Sequence, residues 1–365
     1  MNYRLATLLA RTAYTADKAE DIEIDVVDKI SQIQVVYECT GYSTATFQGH
    51  PALCITKIEL VDGSDTLFSL SGKQAQALDF YHNKVVPPNL LYYLNDINAE
   101  QIFNINFGRF LYDPFLALDP TQFKNLHLKI TVDINGGGRS SDGGFLSVFA
   151  HLFDEKEITP MGFLMSKEIE SYTLAADAHK YIDLPTDHPY RKLLIRAQAY
   201  GYYPDVEISN IKLSQDVDKK IPFNQTMRQI IRAIQAQTPP WIEHLHTSCP
   251  SASGDYEYIT PTYECGFALT PWNVPASATT TLAADYGDGG RARFSSTSTI
   301  GNIQALIRGW LPHGVVEIPF GKQDDIDDWF DPLNIKSLKL DLTGGPSGTF
   351  GAGTADVFLQ QMRPY

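Results

Sequence analysis

His244, His246 and Cys249, with Cys265 further along, are the residues whose types and spacing come closest to a metal site. Two imidazoles at i and i+2 share one face of a strand, and nearby thiolates would complete a set suited to zinc. The same residues also read as a plain polar segment after the Pro239-Pro240 break. Asp324-Asp-Ile-Asp-Asp-Trp-Phe-Asp331 offers carboxylates enough for a hard cation such as calcium. It lacks the glycine and closing glutamate of an EF-hand loop, and a solvated acidic loop is the favoured reading.

Other catalytic grammar is missing. The chain has no G-x-S-x-G elbow, H-E-x-x-H pair, Walker loop or dinucleotide fingerprint. The glycine-rich stretches 136–144, 287–290 and 344–353 fall between strand patterns, so they read as turns rather than phosphate cradles. With 43 Asp and Glu, a glycosidase-like carboxylate pair is guaranteed by number and discriminates nothing. No catalytic, cofactor or metal residue is assigned, and enzymatic activity is not expected.

The elements around these residues are mainly strands. Leu126, Leu128, Ile130, Val132 and Ile134 alternate with polar residues, as do Leu338, Leu340 and Leu342, and less cleanly Ile33, Val35, Tyr37 and Cys39. Further strands are expected at 55–61, 66–70, 145–153, 163–173, 180–184, 192–199 and 206–213. Helices are few. Residues 1–20 could form one, 71–82 another stopped by Pro87-Pro88, and 224–237 a third. In the third, Asn224 can cap and Met227, Ile230, Ile231 and Ile234 form the stripe. The order of strands, corners and turns in 181–213 recurs loosely in 316–362. Together these predict an all-β chain of two tandem jelly-roll sandwiches with a few short helices. The expected division is an N-terminal arm or helix (1–25), a first jelly roll (26–223), a connector helix (224–237) and a second jelly roll (238–365).

Composition narrows the function. The 365 residues are 43% hydrophobic, enough for a substantial core, and carry a net charge of −14, which repels phosphate. Direct nucleic-acid binding is not expected. Four scattered cysteines read as reduced thiols of a protein made in a cytoplasm. No apolar run reaches the roughly 20 residues of a membrane span, and the N-terminus does not read as a signal peptide. Arg4 and Arg11 flank Leu5, Leu8 and Leu9; as an amphipathic helix this segment would touch a membrane surface or a neighbouring subunit.

Several segments together resemble the double jelly-roll major capsid proteins of tailless, icosahedral, often membrane-containing phages. They are Ile58-Glu-Leu-Val-Asp-Gly-Ser-Asp65 leading into Leu70-Ser-Gly72, Phe107-Gly-Arg109 with Asp113-Pro114 and Leu118-Asp-Pro120, and Phe163-Leu-Met-Ser-Lys-Glu168. Ile182-Asp-Leu-Pro185 with Pro189-Tyr-Arg191, and Leu359-Gln-Gln-Met-Arg-Pro-Tyr365, complete the set. The resemblance implies upright barrels, a homotrimer forming a pseudo-hexagonal tile of a virion shell, and no cofactor. Its implied partners are further copies, penton and minor capsid proteins, and an internal membrane. In that setting Pro87, Pro88, Leu90, Leu91, Tyr92 and Tyr93 form a candidate subunit interface, or else a buried crossover. The alternative is a jelly-roll carbohydrate-binding or glycan-processing module, including a viral receptor-binding protein, in which Trp241, Trp272, Trp310 and Trp329 would stack on sugars.

Overall fold

The computed structural model describes residues 1–40, 49–94, 97–137, 143–199, 201–249, 256–272, 282–285, 290–296 and 300–365. The first part of the chain contains β1 (Tyr3–Tyr14), β2 (Lys18–Glu23), β3 (Ile30–Cys39), β4 (Ile55–Asp62), β5 (Asp65–Leu70) and α1 (Gly72–Asn83). It continues with β6 (Leu91–Tyr93), β7 (Ala99–Asn106), β8 (Leu126–Val132) and β9 (Gly144–Phe153). Leaving β6 aside, the strands pair in the orders β1-β9-β3-β7 and β2-β8-β4-β5. Their alternation does the sorting. Ile33, Val35 and Tyr37 of β3 and Leu128 and Ile130 of β8 are fully buried in one core, while the residues between them face outward.

The second part contains β10 (Gly162–Thr173), β11 (His179–Leu184), β12 (Tyr190–Gln198), α2 (Pro204–Glu207), β13 (Ile208–Gln215), β14 (Lys220–Thr226) and α3 (Met227–Gln235). An insertion follows, with β15 (Trp241–Cys249), β16 (Tyr256–Tyr258), β17 (Tyr263–Trp272), β18 (Leu282–Asp285), β19 (Arg291–Ser296) and β20 (Ile300–Trp310). The chain then returns through β21 (Val315–Pro319), β22 (Leu338–Gly344) and β23 (Thr354–Pro364). The orders are now β10-β23-β12-β21 and β11-β22-β13-β14. Replacing each strand of the first set by its counterpart gives the second. The chain is therefore two jelly rolls of the same topology. A parallel pairing of β5 with β10, Phe68 opposite Ser166 and Ser69 opposite Lys167, runs a sheet of one roll into a sheet of the other.

Strand pairing corrects the expected domain division. The closing strand of the second roll, β23, pairs with its opening strand, β10, from Gly162↔Pro364 to Thr173↔Thr354. A roll that opens at Gly162 cannot close before the C-terminus, so the boundary lies between Phe153 and Gly162 and not at 224–237. The α3 helix is accordingly no connector. It leads into the insertion of the second roll, in the place α1 occupies in the first.

The two helices share a sequence signature. Phe68-x-x-Ser71-x-Lys73-Gln74 and Phe223-x-x-Thr226-x-Arg228-Gln229 each end a strand and open a helix with a capping box. Backbone N–H groups of Gln74 and Gln229 donate to the Ser71 and Thr226 hydroxyls, and the glutamine side chains accept from the cap N–H groups, at 2.8 and 3.0 Å. Thr226, not Asn224, is thus the cap of α3; Asn224 lies within β14. Likewise α1 is stopped by Lys84 in the left-handed region (φ 54°), ahead of Pro87-Pro88.

Three other expectations change. Residues 1–20 are not helical: β1 pairs with β9 from Tyr3↔Phe153 to Tyr14↔Gly144, and β2 pairs with β8. The spacing of Leu5, Leu8 and Leu9 fits either element locally, and the open edge of β9 decides for the strand. Val206 belongs to the turn of α2, and the strand starts at Ile208. The loose recurrence between 181–213 and 316–362 links β11–β13 to β21–β23, all within the second roll; the duplication runs between the rolls. Among the described residues no helix is long and apolar enough to cross a membrane.

Candidate functional site: the seam between the rolls

Ten of the twelve residues of α1 are buried, although Gln74, Gln76, Asp79 and His82 are among them. A helix of such polarity stays folded in a dry place only if most of its polar groups find partners. The second roll supplies many of them. Tyr81 Oη donates to the Val315 carbonyl at 2.7 Å, and Lys192 Nζ donates to the Tyr81 carbonyl at 2.9 Å and to Glu317. Arg191 Nη1 donates to His82 Nδ1 at 2.8 Å and to Gln360 Oε1 at 3.0 Å. The Gln74 amide reaches Glu168. Arg191 and Lys192 are each only 1% exposed. Burial pulls Lys192 down to about 8 and Arg191 down to about 10, and it holds His82 well below the usual imidazole value. The neutral His82 ring can therefore accept a hydrogen bond from the Arg191 N–H through Nδ1.

A second polar group joins α1 to the insertion. Gln76 Nε2 donates to Gln101 Oε1 at 3.0 Å, while its Oε1 accepts from His313 Nε2 at 2.9 Å. His50 Nε2 lies 3.2 Å from Thr260 Oγ1, which donates to Glu243 Oε2 at 2.7 Å. Glu243 also accepts from the Thr260 N–H and from the Trp241 indole, at 2.8 and 3.0 Å. Hydroxyl, imidazole and carboxylate are the ingredients of a nucleophilic triad, but the order is wrong. The carboxylate holds the hydroxyl and not the imidazole, and all three residues are buried away from any substrate. The arrangement fastens chain segments together.

Asp79 completes the layer. Its carboxylate, 2% exposed, accepts from the amides of Asn83, Asn104 and Asn106 at 2.7–2.9 Å. Burial outweighs those bonds and raises Asp79 to about 6. A raised carboxyl binds its proton more tightly folded than unfolded, so its contribution to stability is full at low pH and fades as pH rises through about 6. Stability of the wild type relative to Asp79→Asn should thus fall by about 3 kcal/mol between about pH 3 and about pH 7. Urea unfolding of both proteins across that range checks this; parallel curves would contradict it.

The expected site residues fall elsewhere. His244 is exposed on β15, and His246 packs its ring against Tyr92 at 4.6 Å. The side chain of Cys249 lies outside the described residues. Among the described residues no three His, Cys, Asp or Glu side chains gather as metal ligands. In the acidic loop the carboxylates cap turns: Asp325 accepts from the Asp327 N–H, Asp328 from Lys322 and Asp331 from Leu333. Leu91, Tyr92 and Tyr93 form β6, which pairs in parallel with Leu245, His246 and Thr247 of the insertion. Pro87 is buried, while Pro88 and Leu90 stay exposed. Arg4 bonds Asp28 at 2.5 Å; Arg11 forks onto Glu38 at 2.8 Å and lies over the Phe145 ring. Leu8 and Leu9 pack on the core and Leu5 points out, so the three share no single face.

Among the tryptophans, Trp241 and Trp329 are buried, at 0% and 5% exposure, and Trp310 is half-buried. The Trp272 side chain lies outside the described residues. The α1 seam was not visible in the sequence; the signal that could have found it is the capping-box motif repeated 155 residues apart.

No protein-family model and no curated protein matches the sequence. Solved structures do. The major capsid protein of Sulfolobus Turreted Icosahedral Virus superposes with a TM-score of 0.60 at 13% identity, covering 100% of this chain and 97% of that one. The major capsid protein of bacteriophage PM2 gives 0.55 at 10% identity, over 100% and 98% of the two chains. This chain has their fold. VP54 of PBCV-1 gives 0.57 at 12% identity, over 99% and 94%. Each match spans 99–100% of this chain, so both rolls take part in it.

Proposed function

We propose that this double jelly roll is the major capsid protein of an icosahedral virus, residing in the virion shell after synthesis in a host cytoplasm. Three copies contribute six similar rolls to a pseudo-hexagonal tile, and the tile is its product; no reaction is catalysed. The observation that carries this reading is the end-to-end match of both rolls to capsid proteins. The seam supports it physically. Tiling needs two rolls held at one fixed angle, and a buried polar layer with directional bonds fixes an angle better than apolar contact alone. The acidic balance of −14 fits a shell whose genome is shielded by another layer. Penton and minor capsid proteins would fill positions the tile cannot. Burial of Trp241 and Trp329 argues against sugar stacking by those residues. Size-exclusion chromatography with light scattering should give three times the 40.7 kDa chain mass. A stable monomer would overturn the reading.

A further inference from the structure

Cys39 and Cys54 stand 15 positions apart in the sequence, yet their sulfurs lie 3.6 Å from each other in the core of the first roll, at 1% and 0% exposure. Both are free thiols. Their backbones belong to different sheets. Cys39 ends β3, where it pairs with Gly144 of β9 and Ala99 of β7. Cys54 ends the short turn Pro51–Cys54 that leads into β4, and its carbonyl accepts from the Asp133 N–H at 2.8 Å. That turn opens on His50, whose Nδ1 accepts from the Ala52 N–H at 3.2 Å and whose Nε2 lies 3.2 Å from Thr260 Oγ1 of the insertion. Hydrogen bonds therefore hold both backbones in place while the two thiols meet across the sandwich. Bonded sulfurs sit about 2.05 Å apart, so closure needs about 1.5 Å of relative motion, which small side-chain rotations supply.

We propose that Cys39 and Cys54 form a latent inter-sheet disulfide, reduced while the chain is made and closed by peroxide once the protein has left the reducing cytoplasm. The timing rests on the capsid reading; the chemistry does not. One thiol attacks a peroxide oxygen, breaking the O–O bond, and becomes a sulfenic acid with release of water. The other thiol attacks that sulfur and expels a second water, so hydrogen peroxide is reduced while the thiol pair is oxidised. The Cys54 thiol and burial hold the Cys39 thiol well above its ordinary range. Reaction is therefore slow and proceeds through local opening of the turn, which favours a small uncharged oxidant. Once closed, the link ties β3 to the start of β4 and restricts the unfolded chain.

The folded wild type, incubated with hydrogen peroxide and then quenched, should lose about 2 Da, the hydrogens of the two thiols. Maleimide labelling after unfolding should fall from four thiols to two. Peptide mapping should place the link between Cys39 and Cys54. The melting temperature should rise by about 5 °C and return on treatment with dithiothreitol. Cys39→Ala and Cys54→Ala should show no such rise, and the wild-type mapping decides the matter even where an alanine weakens the core. Four labelled thiols after peroxide, a sulfinic acid in place of the link, or a link to Cys249 or Cys265 would overturn the proposal and leave the capsid reading standing. A monomer that carries the link would keep the disulfide and overturn the capsid reading.

Discussion

Lys192→Met should lower the unfolding free energy by about 3–5 kcal/mol. The methionine fills much of the space of the lysine stem, so packing alone predicts little. The damage comes from what remains. Glu317, 6% exposed, would keep its charge without a counter-ion, and the Tyr81 carbonyl would lose its donor. The double change Lys192→Met with Glu317→Leu removes the stranded charge and should recover most of the loss, since buried ion pairs are often no more stable than apolar replacements. Chemical denaturation of the wild type, both single variants and the double variant measures the coupling. Additive losses would mean that the pair is not the unit described here.

Trp241→Ala should cost about 3–5 kcal/mol, through the cavity it opens. Its ring is fully buried, meets Phe80 of α1 edge-on at 5.4 Å and His313 at 6.2 Å, and thereby links the first roll to the insertion of the second. Its indole is also a donor to Glu243. Trp241→Phe keeps most of the volume and loses only that bond, and should cost about 1–2 kcal/mol. The gap between the two variants, read from the same denaturation experiment, separates packing from hydrogen bonding. Equal losses would assign the whole effect to the indole N–H.

Strands whose two faces differ in polarity were readable from the sequence. The alternation in 126–132 and in 338–342 places Leu128 and Leu340 in the core without further help. Where a strand sits at an edge, as β1 does, half its residues stay wet on both faces, and three leucines at helical spacing were enough to suggest a helix. The division into rolls was misplaced for a different reason. Local patterns say that a strand exists, whereas the partner that closes a roll can lie far away, as β23 lies from β10. An insertion then made the second roll look like a connector followed by a short domain. The seam residues were the least legible. Arg191, Lys192 and Glu317 look like surface charges in a sequence, and only the packing of α1 against β12 and β21 makes them a buried layer.

The central claim, that twin jelly rolls serve to tile a shell, is tested most directly by electron cryomicroscopy of virus particles built with this chain. Each hexagonal capsomer should accommodate three copies of the double jelly roll, with the seam inside each copy. A shell whose capsomers cannot hold these three copies, or particles in which the chain is absent from the lattice, would contradict the account.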